Sequence, residues 1–156
     1  MTRILMDTKK LLSFLISARS HTYAGNTGEV SPVFAGHKQY EYTDGAWLYR
    51  DMYVVGNGRF VGCETIHQEA KPVWSMSYYG NFSAMTEEGA DKILRQAMIA
   101  NVEKTRLWYS VEWNDGKFVY QCEGAGSDIV EIRGTEVITC SNIRLYTFIY
   151  AGGLVG

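Results

Sequence analysis

Gly62-Cys63-Glu64-Thr65-Ile66 leads into Val73-Trp74-Ser75-Met76-Ser77-Tyr78, and both patterns return 72 positions later. They return as Gly134-Thr135-Glu136-Val137-Ile138 and Leu145-Tyr146-Thr147-Phe148-Ile149-Tyr150, with Gly80 falling on Gly152. The ungapped overlay of residues 62–80 gives five identities in 19 positions, where composition alone supplies about one. Upstream, a one-residue slip aligns Asp44-Gly45 with Asp115-Gly116 and Tyr49 with Tyr120, and the Gly-x-Gly turns at 56–58 and 124–126 correspond. These correspondences predict a tandem duplication. The expected organisation is one domain over residues 1–156, made of two pseudo-symmetric halves at about 7–83 and 84–156, each a helix followed by about four antiparallel strands.

Local patterns supply those elements. Asp7 or Thr8 is placed to cap a helix whose apolar stripe is Leu11, Phe14, Leu15 and Ala18. Thr86 is placed to cap a second, with Ala90, Ile93, Leu94, Ala97 and Met98 at helical spacing. Runs at 39–43, 46–54, 59–68 and 72–80, then 107–113, 117–123, 129–139 and 144–151, are rich in aromatic and β-branched residues and bounded by turn signals. Residues 24–38 have no period and read as a long loop. The predicted fold class is α+β, an antiparallel sheet or open barrel with two packed helices; the alternative is an all-β barrel decorated by helices.

Composition narrows the function classes. The chain has 156 residues and a net charge of −2, with no cluster of lysine or arginine, which argues against direct binding to nucleic acid or to an anionic membrane. Cys63, Cys122 and Cys140 are an odd number without C-x-x-C spacing, so neither a disulfide framework nor a cysteine zinc site is expected. Lys9-Lys10 followed by Leu11 to Ala18 resembles a short leader. That apolar stretch is interrupted by Ser13, and an amphipathic helix explains it equally well. No apolar run is long enough to span a bilayer, and a cytoplasmic location is expected. The unusual feature is aromatic content: eleven Tyr, six Phe and four Trp.

One set of motifs is familiar beyond its patterning: Thr22-Tyr-Ala-Gly25, Trp47-Leu-Tyr-Arg50-Asp51-Met-Tyr53, Phe60-Val-Gly62-Cys-Glu64 and Pro72-Val-Trp74-Ser-Met76-Ser-Tyr78-Tyr79-Gly80. With the closing Tyr150-Ala-Gly-Gly153, it resembles an uncharacterised domain family of bacteria and archaea. Members of that family occur alone or behind XRE-type helix-turn-helix domains in transcription regulators. The resemblance implies a sensing or effector module and brings no catalytic residues. The roughly twenty residues before the first motif are too few for a helix-turn-helix domain, so direct DNA binding is not implied.

Strand parity singles out the polar candidates. Glu64 shares a face with Phe60, Gly62 and Ile66, and Glu136 shares one with Ile132, Gly134 and Ile138. Carboxylates among apolar neighbours are candidates for a general acid and base, or for a polar ligand contact; the structural alternative is that each pairs with an arginine or with turn donors. Arg50 and Asp51 point to opposite faces, with Asp51 alongside Trp47, Tyr49 and Tyr53. Arg50 is a candidate to neutralise a buried glutamate or to hold an anion. Trp74 and Tyr78 share a face and suit either a core or an aromatic pocket. The candidate ligand-binding set is therefore Trp47, Arg50, Asp51, Tyr53, Glu64, Trp74, Tyr78 and Glu136.

Glu64-x-x-His67 converges two ligands only on a helix, so no metal is expected. Gly56-x-Gly58-x-x-x-Gly62 is not a dinucleotide fingerprint, and no cofactor motif or nucleophile elbow is present. The leading functional reading is a small-molecule-binding or sensing module. The alternatives are a small enzyme using Glu64 and Glu136, or a dimerisation domain. The expected partners are a small molecule and another protein or a second copy of the chain, without nucleic acid or membrane.

Overall fold

The computed structural model describes residues 6–156. Asp7 caps α1 (Thr8–Ser20), its carboxylate accepting from the Lys10 amide at 3.1 Å. Thr86 caps α2 (Glu87–Ala100) in the same way, through the Gly89 amide at 3.1 Å. Such caps satisfy amides that have no partner inside the helix. Both helices bury the stripes their spacing predicts, with one addition in α1: Arg19 is buried beside Ala18.

The strands are β1 (Glu29–Val30), β2 (Lys38–Asp44), β3 (Trp47–Gly56), β4 (Arg59–Gln68), β5 (Lys71–Asn81), β6 (Ser110–Asn114), β7 (Phe118–Ala125), β8 (Glu131–Cys140) and β9 (Ile143–Leu154). They form one antiparallel sheet of nine strands in the order β1-β2-β3-β4-β5-β9-β8-β7-β6. Among the described residues, no helix is long and apolar enough to cross a membrane.

This corrects the expected fold class. The protein is not a balanced α+β fold of two duplicated helix-plus-strand halves. It is mostly one large sheet, to which the two short helices of 13 and 14 residues are minor additions. The ladder runs without interruption through the middle, where β5 pairs with β9 from Trp74↔Leu154 to Asn81↔Thr147. Nor is the sheet a closed barrel, since β1 and β6 are its two edges. Two local features also depart from expectation. Part of the unpatterned loop forms β1, and residues 101–108 form turns, so β6 begins only at Ser110.

Alternation decides which side chains are inside. Tyr49, Asp51 and Tyr53 of β3 face the core, as do Glu64 and Ile66 of β4, Trp74, Met76 and Tyr78 of β5, and Tyr146, Phe148 and Tyr150 of β9. α1 packs against β2 and β3, and α2 against β6 and β7. The sheet wraps around this buried face far enough for the turn before β6 to meet α1: Arg19 Nη1 donates to the carbonyls of Thr105 at 3.1 Å and Arg106 at 3.3 Å.

Candidate functional site

Two buried arginine–glutamate pairs organise the centre of the protein. Arg19 donates through Nε and Nη2 to the two oxygens of Glu64, at 3.0 and 2.7 Å, and Tyr49 donates to Glu64 Oε1 at 2.6 Å. Arg106 grips Glu136 with the same fork, at 2.9 Å on both arms, and Tyr120 and Tyr146 also donate to that carboxylate. Forked pairs of this kind are directional, and they are tolerated in a core only when the remaining lone pairs are also used. Burial works to raise the Glu64 carboxyl, but the charge and hydrogen bonds of Arg19, helped by Tyr49, outweigh it and hold the group below its ordinary value.

Asp51 has no such partner. It lies directly opposite Glu64 across β3 and β4, on the same buried face, and is 6% exposed. Its Oδ1 accepts from Tyr78 at 2.5 Å. No arginine or lysine pairs with it among the described residues. Burial, then the like charge of Glu64, push its carboxyl up to about 7, against the opposing pull of the Tyr78 hydrogen bond and of Arg106 and Arg19. A carboxyl that changes charge near neutrality in a protein interior is chemically uncommon and is a marker of functional sites.

Two glycines make the Asp51–Tyr78 contact reachable. Gly62 of β4 sits between Tyr53 and Tyr78 in the ladder, and a Cβ there would overlap the Tyr78 hydroxyl. The missing side chain lets the Tyr78 ring cross β4 and place its hydroxyl on β3. Gly80 likewise lies under the Phe60 ring, and a Cβ there would clash with it. Phe60 then packs edge-on against Tyr53 and Tyr78 and at a tilt against Phe148, at centroid distances of 6.4, 6.0 and 5.9 Å.

Above these rings is a cleft, closed on its other side by the first half of α2. Asp51, Tyr53, Val55, Phe60 and Tyr78 line it from the sheet, Phe82 from just beyond β5, and Glu87, Ala90, Asp91 and Leu94 from the helix; Tyr23 and Arg106 complete the lining. The cleft has a volume of about 40 Å³, or about 470 Å³ when the adjoining open solvent is counted. Tyr23 is fixed by donating to Asp91 at 2.6 Å, and the Arg95 guanidinium stacks 4.7 Å from its ring centre. Arg106 adopts a left-handed backbone, φ 53°, which is sterically costly for a residue other than glycine. That turn aims its guanidinium inward over the Phe148 ring at 4.1 Å.

A profile described as a domain of unknown function, DUF5680, matches residues 51–155. The chain belongs to the DUF5680 family. No curated protein and no solved structure matches it. The DUF5680 region begins at Asp51 and includes Glu64, Tyr78, Arg106 and Glu136, while Arg19, Tyr23 and Tyr49 lie before it.

Of the residues singled out in the sequence, the cleft gathers Asp51, Tyr53 and Tyr78. Glu64 lies beside Asp51 but spends its oxygens on Arg19 and Tyr49, and Glu136 spends its own on Arg106 and two tyrosines; neither lines the cleft. Arg50 is on the other face, paired with Glu41 at 2.8 Å. Trp74 is fully buried and donates to the Ile129 carbonyl at 3.1 Å, and Trp47 packs on Phe14 at 5.4 Å. Sequence reasoning missed Tyr23, Phe60, Asp91 and Arg106 as cleft residues and Arg19 as the partner of Glu64. Arg19 alone carried a signal, since it extends Leu11 and Leu15 by one more helical step of four. Among the described residues, no group of His, Cys, Asp and Glu is arranged to hold a metal ion.

Proposed function

We propose that this member of the DUF5680 family is a binding module that holds a small molecule in the cleft between α2 and strands β3 to β5. The observation that carries the reading is Asp51: a buried carboxyl without a cationic partner, opening into an aromatic-walled recess. Pockets of this composition, apolar walls with few convergent polar groups, are the common form of small-molecule sites. The resemblance to domains carried behind helix-turn-helix units supports a sensing role, with the output passed through a partner protein. Catalysis by Glu64 and Glu136 has less support, because arginine and tyrosine donors occupy both carboxylates.

The test is a thermal-shift screen of a broad metabolite library, repeated on Val55→Phe, which enlarges a half-buried side chain of the cleft lining. A compound that raises Tm in the natural protein and not in the variant supports the reading. A library without such a compound contradicts it.

A second reading, a module that pairs with another copy, has one observation in its favour. Val54, Val61, Tyr79 and Ile149 align across β3, β4, β5 and β9 on the outer face, and all four are exposed. Light scattering that gives the mass of one chain at high concentration removes it.

A further inference from the structure

We infer that the cleft takes a small organic cation, with an ammonium group against the Asp51 carboxylate and its apolar part between Tyr53, Phe60 and Phe82. This inference rests on the cleft being a binding site and adds the chemistry of its occupant.

Charge is the first ground. Three acidic side chains and one basic one line the cleft: Asp51, Glu87, Asp91 and Arg106. The arginine is already neutralised by its forked pair with Glu136 at 2.9 Å, so it leaves the cleft little net positive charge. Lys38 approaches Glu87 at 3.5 Å, but on the exposed side, where such a pair is weak. The uncompensated charge that remains is negative.

The second ground is Asp51 itself. Its Oδ1 is held by Tyr78, no hydrogen bond reaches Oδ2 among the described residues, and the residue is 6% exposed. A buried carboxylate of this kind lacks a counter-ion, and a ligand ammonium supplies one. The third ground is the walls. Tyr53, Phe60 and Tyr78 line the cleft together with the carboxyl, and aromatic rings are favourable neighbours for a cation. At about 40 Å³ the cleft has room for only a few water-sized groups, so anything longer than a head group must extend out of it.

The neighbours of Asp51 make its titration separable. Tyr49 and Tyr53 flank it on β3, Glu64 faces it from β4, Tyr78 from β5, Arg19 from α1 and Arg106 from the turn before β6. The tyrosines are pushed upward and stay neutral, the arginines stay charged, and Glu64 is held low and stays ionised. Between pH 5.5 and 8, Asp51 alone among them changes charge.

The probes are butylammonium, butan-1-ol and butyrate, equal in length and differing in head group, titrated by NMR into the natural protein and Asp51→Asn. The expected result is perturbation of cleft resonances by butylammonium, at least about tenfold tighter than by the alcohol or the acid. That preference should strengthen from pH 5.5 to pH 8 and disappear in D51N, which keeps the shape of the side chain and removes its charge. Equal or tighter binding of the alcohol or of butyrate in the cleft overturns the inference while leaving the binding reading intact. If none of the three perturbs the cleft, the cation inference falls; if the metabolite screen also yields no cleft ligand, the binding reading falls with it.

Discussion

At the scale of single residues, a carboxylate's fate here depends on whether an arginine reaches it. Glu64 and Asp51 sit opposite one another in the same ladder, equally removed from water. Arg19 reaches the first and its carboxyl is held low; no cation reaches the second, and its carboxyl rises to about 7. In the unfolded chain Asp51 has an ordinary pKa near 4. The raised folded value means that the native state favours the protonated group. Its stabilising contribution is therefore complete below about pH 4 and is lost as pH rises through about 7. Asp51→Asn removes that dependence. Its stability relative to the natural protein should improve by a few kcal/mol between pH 5 and pH 8, measured by urea unfolding at each pH. Arg19→Met should do the opposite. It leaves Glu64 charged and unpaired in the core and lowers stability by about 3–5 kcal/mol, part of which Arg19→Met with Glu64→Gln restores.

At the scale of elements, the hairpins record where local sequence and local geometry agree. Asn57-Gly58 links β3 to β4 with positive φ at both residues, 53° and 74°, the turn that suits a twisted pair of strands. Glu69-Ala70 makes the same kind of turn between β4 and β5, at φ 49° and 63°, with no glycine. Ala70 is exposed, so its side chain has little packing to lose. Ala70→Gly should relieve the left-handed strain and raise stability by about 0.5–1 kcal/mol, or about 2 °C in Tm by calorimetry.

The strands themselves were legible because alternation is a local property; parity put Asp51 and Arg50 on opposite faces, and the structure decides that Asp51 is the buried one. Leu107, Trp108 and Tyr109 were not legible. They look like the start of a strand, yet Leu107 is wholly buried in a turn that follows Arg106, and its carbonyl accepts from Tyr150 at 2.6 Å. Only contacts between distant strands specify that turn, so no window of sequence around it could reveal that Arg106 closes the cleft. Arg19 escaped for a different reason: a stripe of apolar residues alone leaves out a buried arginine one helical step beyond Leu15.

At the scale of the whole molecule, the wrapping of one continuous sheet brings the centre together. β3 and the turn before β6 lie far apart in the strand order, yet Asp51 and Arg106 line one cleft. The recurring sequence pattern led to an expectation of two equivalent helix-plus-sheet units. The hydrogen-bonded ladder through β5 and β9 instead makes the sheet the dominant layer, with α2 serving as the cover of the cleft. Among the described residues this arrangement leaves the buried Asp51 carboxyl without a counter-ion, and the functional reading depends on it. The direct test is a pH titration of the side-chain carboxyl carbons by ¹³C NMR, with Asp51 assigned by its loss in D51N. A midpoint for Asp51 near 7, moving downward when an amine occupies the cleft, is the predicted result. A midpoint in the ordinary carboxylate range near 4 would contradict the account.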